Sequence, residues 1–151
     1  MNVVILENIR SAYNVGNIIR TADALWRKVR LSGYTPSPDD TSKVKKTSLG
    51  AEETVWIKQF NTTLEAISYA KKQWLQVIAA EAAKWALKLD KFSQKKDKKN
   101  WVAVVFGNEV DGVLPATLRA VDAVVYIPMQ WVKESLNVGQ TSAIFMYELK
   151  V

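Results

Sequence analysis

Two amino acids that carry much of enzyme chemistry are missing from this chain, which contains no cysteine and no histidine. Without cysteine, disulfides, thiolate-bound zinc and thiol nucleophiles are excluded. Without histidine, serine–histidine triads, histidine-bound zinc and imidazole acid–base catalysis are excluded as well. Any catalysis must therefore use other polar side chains or the backbone, and we expect no metal ion.

Long apolar runs are absent too. The segment Trp101–Phe106 is among the longest, and it is far too short to cross a membrane. Met1-Asn2 leads directly into the strand-like segment Val3–Leu6, without the basic start of a signal peptide. We therefore expect a cytoplasmic protein with no membrane partner.

The composition is that of an ordinary globular domain. The chain has 151 residues, of which 48% are hydrophobic and 24% charged, a size at which one core can form without disulfides. Its 21 basic and 15 acidic residues give a net charge of +6. This excess favours an anionic partner, most often a nucleic acid, although solubility alone is a simpler reason for it.

Apolar patterns of strand and helix type alternate along the chain. The predicted strands are Val3–Glu7, Val29–Ser32, Glu53–Ile57, Leu75–Ala80, Trp101–Phe106 and Ala123–Pro128. The predicted helices are Val15–Leu25, Thr63–Gln73, Glu81–Phe92, Pro115–Ala120 and Val138–Leu149. This alternation predicts an α/β fold with a mostly parallel sheet and helices on both faces.

The segment Lys84–Asn100 is rich in lysine. One interpretation is a flexible, phosphate-contacting patch, because lysines bind phosphates without demanding geometry. The other is a solvated helix end followed by a loop. Both remain open from the sequence.

Three polar segments follow predicted strands. The first contains Asn14 and Gly16 near a predicted helix start, where free backbone N–H groups favour an anion that Arg20 would also reach. The second segment follows Phe106 and contains Gly107, Glu109, Asp111 and Gly112. The third segment precedes the last predicted helix, and either Ser135 or Asn137 would cap that helix. Ligands bind beyond the carboxyl ends of parallel strands, which makes each segment a candidate binding site. Taken singly, however, each segment is explained equally well as a helix cap or an ordinary turn.

Taken together and in this order, the segments resemble the SpoU/TrmH branch of the SPOUT RNA 2′-O-ribose methyltransferases along nearly the whole chain. The matching segments are Asn14–Ala22, Thr47–Ala51, Phe106–Glu109 with Gly112, Ile127–Met129 and Ser135–Val138. The resemblance implies a C-terminal deep trefoil knot that forms a pocket for S-adenosylmethionine. It also implies a homodimer with shared active sites, and a single domain over residues 1–151 without a separate RNA-binding domain. The partner would be RNA, with tRNA slightly favoured over rRNA.

The resemblance also assigns site residues. The residues implied to bind the cofactor are Ala80, Gly107, Gly112, Ile127, Met129 and Leu136. The residues implied to act in catalysis are Asn14, Arg20, Glu109, Ser135 and Asn137. A guanidinium stays protonated, so Arg20 suits charge stabilisation better than proton abstraction, and Ser135 or Glu109 would take the proton. Direct methyl transfer to a ribose hydroxyl needs neither cysteine, histidine nor metal.

The chain departs from the family at three tryptophans, Trp26, Trp74 and Trp131, where relatives usually have glycine. At the first two positions a glycine would suit a left-handed helix end, which a tryptophan occupies only under strain. Either glycine codons have been translated as tryptophan under another genetic code, or the residues diverged naturally. An indole at position 131 would crowd the cofactor pocket, so the alternative function is a silent, knotted RNA-binding protein.

Overall fold

The computed structural model describes residues 1–97 and 99–150. The strands are β1 (Val3–Glu7), β2 (Lys28–Ser32), β3 (Trp56–Phe60), β4 (Gln76–Ala80), β5 (Leu87–Lys88), β6 (Val102–Phe106) and β7 (Ala123–Tyr126). The helices are α1 (Ala12–Leu25), α2 (Ser42–Ser48), α3 (Thr63–Lys72), α4 (Leu89–Lys95), α5 (Pro115–Ala120) and α6 (Val138–Glu148). One turn of 3₁₀ helix spans Ala51–Glu53.

The seven strands form one sheet in the order β3-β2-β1-β6-β4-β7-β5. Each of its strand pairs is parallel. The predicted α/β class with a mostly parallel sheet is therefore confirmed. In the described part of the chain, no helix is both long and apolar enough to span a membrane.

The centre of the sheet is buried on both faces. All residues of β1 and β6 are buried, as expected for the continuous apolar runs of parallel strands under helices. One core layer contains residues of α1 and α6, and the other contains residues of α3. The side chain of Asn2 connects elements that are distant in sequence. Its amide nitrogen donates a hydrogen bond to the Leu149 carbonyl (2.9 Å), and its amide oxygen accepts one from the Val102 N–H (2.8 Å).

Several regions differ from the predictions, since α2 was not predicted and α1 begins at Ala12 and not at Val15. The strand predicted at Glu53–Ile57 begins later, at Trp56, because a 3₁₀ turn occupies Ala51–Glu53 and β3 pairs with β2 from Lys28 opposite Trp56. The helix predicted over Glu81–Phe92 is wrong for its first part. There the Glu81 N–H donates to the Val125 carbonyl and the chain crosses β7 to form β5, so the helix starts only at Leu89.

The predicted left-handed helix ends are right at one tryptophan and wrong at the other. Trp74 has a φ of +61°, and the Trp74 and Leu75 N–H groups donate to the Lys71 and Ala70 carbonyls, the pattern of a Schellman motif. Trp26 has a φ of −127°, and the left-handed residue after α1 is instead Arg27, with a φ of +64°.

Candidate active site

The carboxyl ends of β4, β6 and β7 open into one cavity of about 480 Å³, a volume typical of small-molecule sites. The residues implied to bind the cofactor all line this cavity: Ala80, Gly107, Gly112, Ile127, Met129 and Leu136. Three residues implied to act in catalysis line it as well: Glu109, Ser135 and Asn137. Sequence segments spread between residues 80 and 137 thus converge on one place.

The loop after β6 folds back tightly on itself. The N–H groups of Asn108 and Gly112 donate to each other's carbonyls at 3.1 and 3.0 Å. A Cβ atom at Gly107 would lie 2.3 Å from the Gly112 backbone, and Gly112 itself has a φ of +68°. Both positions therefore require glycine, which explains that part of the motif.

Two carboxylates that the sequence analysis did not single out hold the far end of this loop. Glu7 is fully buried, and it accepts hydrogen bonds from the Leu114 N–H (2.9 Å) and the Thr117 hydroxyl. Glu81 accepts a hydrogen bond from the Val113 N–H at 2.9 Å. A charged residue at the end of an otherwise apolar strand is the signal that would have revealed Glu7.

The start of α1, which the sequence predicted to favour an anion, binds the carboxylate of Glu109 from the same chain. This carboxylate accepts hydrogen bonds from the Arg10 and Ser11 N–H groups and from the Asn14 amide, at 2.9 to 3.1 Å. Partial burial alone would raise the pKa of Glu109, but these hydrogen bonds outweigh it and lower the pKa below its ordinary value. Glu109 is thus held as an anion that joins the loop to α1.

Asn14 extends this connection to the last helix. Its side-chain oxygen accepts a hydrogen bond from the Asn137 amide at 3.2 Å. The Asn137 oxygen in turn accepts a hydrogen bond from the Gly139 N–H, so Asn137 is the cap of α6 and Ser135, the other predicted candidate, is not. Glu109, Asn14 and Asn137 therefore form one chain of hydrogen bonds across the three motifs. Asn14 itself supports the cavity from behind and is not among the lining residues.

Arg20 lies apart from this network. It is exposed on α1 and is not among the residues that line the cavity. The structure therefore brings together four of the five residues implied to act in catalysis, whereas Arg20 belongs neither to the cavity lining nor to the hydrogen-bond network.

The cavity suits a ligand that is apolar at one end and cationic at the other. Phe106, Val125 and Phe145 give the cavity an apolar lining that suits an aromatic ring, while Glu81, Glu109 and Glu134 add carboxylates to the lining. S-adenosylmethionine has both an adenine and a sulfonium, so the residues present fit this cofactor.

The expectation that Trp131 crowds the cavity is wrong. Its side chain is 88% exposed, and it does not belong to the cavity lining. The adjacent loop residues Met129, Glu134 and Ser135 face the cavity instead. This removes the specific reason for a silent protein.

The lysine-rich segment forms a solvated edge of the molecule. Lys88, Lys91, Lys95 and Lys99 are exposed, whereas burial lowers the pKa of the partly covered Lys96. Lys98 lies outside the described residues. Contact with phosphates remains a prediction for this segment.

Known proteins share the sequence along most of the chain. The profile of the SpoU rRNA Methylase family matches residues 1–147. A tRNA (guanosine(18)-2′-O)-methyltransferase of Aquifex aeolicus is 26% identical, over 97% of this chain and 67% of its own length. A 23S rRNA (guanosine-2′-O-)-methyltransferase of Acinetobacter baylyi is 29% identical, over 95% of this chain and 56% of its own length. The chain therefore spans between half and about two thirds of these relatives.

Solved structures agree with the fold. The AdoMet-bound rRNA methyltransferase of Sinorhizobium meliloti has a TM-score of 0.87 and 27% identity, covering 98% of this chain and 55% of that one. The TrmH/SpoU tRNA modifying enzyme of Aquifex aeolicus has a TM-score of 0.81 and 25% identity, covering 97% and 72%. The predicted resemblance is confirmed: the chain belongs to the SpoU rRNA methylase family.

Proposed function

We propose that this protein transfers a methyl group from S-adenosylmethionine to a ribose 2′-hydroxyl of RNA, with tRNA favoured over rRNA. The observation that carries the proposal is the convergence of the implied cofactor residues on one cavity, bounded by the network of Glu109, Asn14 and Asn137. The names of the similar proteins include both tRNA and rRNA substrates.

The cofactor supplies an electrophilic methyl group on a sulfonium, so the protein needs only to bind and orient the two reactants. Gly107, Met129 and Leu136, which line the cavity from three separate segments of the chain, would hold the cofactor. The Asn14–Asn137 hydrogen bond would keep the cavity wall in place. Such positioning accelerates a two-reactant step strongly without covalent catalysis.

Ser135 is the better candidate for handling the ribose proton. Both oxygens of Glu109 already accept hydrogen bonds, and its lowered pKa makes it a weak base. Ser135 is exposed and lines the cavity, so its hydroxyl is open to a substrate. Ser135 would accept the proton of the 2′-hydroxyl while its own hydroxyl proton passes to water, so that the serine stays neutral.

Arg20 fits the proposal only in a dimer. We propose the family's arrangement, a C-terminal trefoil knot and a homodimer in which Arg20 faces the partner's cavity. The exposed apolar side chains of Leu25, Ile144 and Tyr147 on α1 and α6 offer such an interface. There the guanidinium would stabilise the negative charge that develops on the ribose oxygen.

The first test is a calorimetric titration of the full chain with S-adenosylmethionine, for which we expect binding with a single site per subunit. The second is transfer of a tritiated methyl group to unmodified tRNA and rRNA transcripts. A 2′-O-methyl group protects the adjacent phosphodiester from alkali, so the label should appear in an alkali-resistant dinucleotide. Label recovered on a free base, or no cofactor binding, would contradict the proposal.

The role of Arg20 is tested separately. Arg20→Ala should leave cofactor affinity unchanged and lower methyl transfer by roughly a hundredfold, as loss of a transition-state donor does. Arg20→Lys, which keeps the charge, should recover part of the rate. Mixing Arg20→Ala subunits with Leu136→Trp subunits, whose cavity is blocked, should restore activity if sites are shared, and a monomer in sedimentation would contradict sharing.

A further inference from the structure

The edge strand β3 and its neighbours β2 and α3 carry aromatic and basic side chains, some exposed and some half-buried, that take no part in the cavity. We call this the β3 surface, and it consists of Lys28, Trp56, Lys58, Phe60 and Tyr69. Register places Lys28 opposite Trp56, and the alternating residues of β2 and β3 place these side chains on one face of the sheet. Tyr69 joins them from α3, where its ring lies 5.5 Å from that of Phe60.

The aromatic rings of the β3 surface are covered by cations. The Lys28 ammonium lies 5.1 Å from the Trp56 ring centroid. The Lys58 ammonium lies 4.1 Å from Tyr69 and 5.5 Å from Phe60. Trp56 nevertheless remains 63% exposed, so most of its indole is open to a partner.

The charge of this surface is positive. Among residues 1–97 and 99–150, the ion pairs join Lys71 to Asp122 and Lys91 to Asp90, so neither Lys28 nor Lys58 is neutralised by one. Glu65 lines a shallow groove beside Phe60 and Tyr69, but its carboxylate accepts the Thr62 N–H at the start of α3. An anionic partner with flat rings is therefore complementary to the β3 surface.

We infer that the β3 surface binds a single-stranded segment of the RNA substrate, with a base stacked on Trp56 and phosphates at Lys28 and Lys58. The inference rests on the proposed function, which makes RNA the substrate. Exposed aromatic rings among lysines bind single strands because every base has a face that stacks. Addition of a protein strand is less compatible, since lysines on an edge strand oppose it.

This surface lies away from the place of methyl transfer. β3 is three strands from β6, and Trp56 is at the amino end of its strand, whereas the cavity is at the carboxyl ends. Strand spacing and rise place the two sites roughly 20 Å apart. The β3 surface would therefore anchor RNA without presenting the reacting nucleotide. Its loss should raise the KM for RNA and leave kcat unchanged.

The test measures the affinity of the full chain for a fluorescein-labelled oligouridylate and for a tRNA transcript by fluorescence anisotropy. Trp56→Ala should weaken binding about fivefold or more, the effect of losing one stacked base. Trp56→Phe should keep most of the affinity because a ring remains. Lys58→Gln should reduce the slope of log K against log salt by about 0.7, one phosphate contact, and Lys58→Arg should not.

The controls separate this inference from the proposed function. Trp56→Ala should bind S-adenosylmethionine like the unaltered chain, since the cavity is remote. If the unaltered chain binds neither RNA, the proposed function and this inference both fail. If it binds RNA and Trp56→Ala binds equally well, this inference alone is wrong. A change in sedimentation with no change in RNA affinity would identify the surface as a contact between copies, which also overturns it.

Discussion

Trp26 and Trp74 both follow helices at positions where glycine suits the family pattern, yet their surroundings are opposite. Trp26 is 3% exposed, and its indole N–H donates to the Met146 carbonyl at 2.9 Å. Trp74 is 93% exposed and has left-handed backbone geometry. The comparison shows that a shared residue type at similar helix ends does not mean a shared role. The Trp26 side chain is part of the core. Trp74 has a strained backbone, and its side chain is almost fully exposed.

The largest effect is expected for Trp26→Gly. Removing a buried aromatic side chain destabilises a domain by about 3–5 kcal/mol, and here a hydrogen bond to α6 is lost as well. Urea unfolding should show this loss, while Trp26→Phe, which keeps most of the volume, should lose much less. An unchanged midpoint for Trp26→Gly would mean that the buried indole contributes nothing.

Trp74→Gly should act in the opposite direction. A side chain in the left-handed region costs about 1–2 kcal/mol, and the flexibility of glycine in the unfolded chain offsets part of the gain. We expect a net stabilisation of about 0.5–1 kcal/mol in urea unfolding. Trp74→Ala, which keeps a Cβ atom, should stabilise less, and equal stability of both variants would contradict the strain.

Arg27→Gly sharpens the comparison at the end of α1. The exposed Arg27 has a φ of +64°, so glycine should stabilise by about 0.5–1 kcal/mol there too. Neighbouring glycine substitutions at positions 26 and 27 would then have opposite signs. A loss of stability for both variants in thermal unfolding would contradict left-handed strain at Arg27.

Trp131→Gly should have the smallest effect. The exposed indole is outside the cavity lining, so stability should change by less than about 0.5 kcal/mol and cofactor affinity should be unchanged. Calorimetry with S-adenosylmethionine and urea unfolding check both. A large gain in affinity would mean that the indole enters the cavity when the cofactor binds.

The three tryptophans therefore do not behave as one group. Left-handed geometry is found at Trp74 alone, whereas Trp26 is packed and hydrogen-bonded and Trp131 lies exposed on a loop. Natural divergence explains Trp26 better, because its indole is packed and hydrogen-bonded. A glycine codon translated as tryptophan explains Trp74 better, because its backbone has the left-handed geometry that favours glycine. The codons of the source gene at these positions would decide between the explanations.

The sequence predicted well the parts of the fold governed by local pattern. Apolar runs identified β1 and β6, and Thr62 with Glu65 gives α3 a capping box that agrees with its predicted start. The segment at Glu81 was predicted wrongly because its helical spacing competes with a backbone hydrogen bond to β7, a tertiary contact that no local pattern contains. Helix α2 was missed because it is short.

The candidate site was predictable as a set of residues but not as a network. Motifs identified Asn14, Glu109 and Asn137, yet the hydrogen bonds that join them cross about 95 and 123 residues of sequence. Similarly, nothing local indicates that the helix start at Arg10 and Ser11 binds a carboxylate of the same chain. The exposed direction of Arg20 depends on how α1 packs, and spacing alone does not give it.

The side chain of Asn2 has a consequence for how the protein is made. Because it joins Val102 and Leu149, Asn2 gains these partners only after a further 100 and 147 residues have been synthesised. Contacts this distant in sequence slow folding. Until then, the apolar strand β1 remains without β6 and exposed to aggregation. Nascent chains stalled before β6 should therefore be captured by chaperones, whereas chains that include both β6 and α6 should escape them.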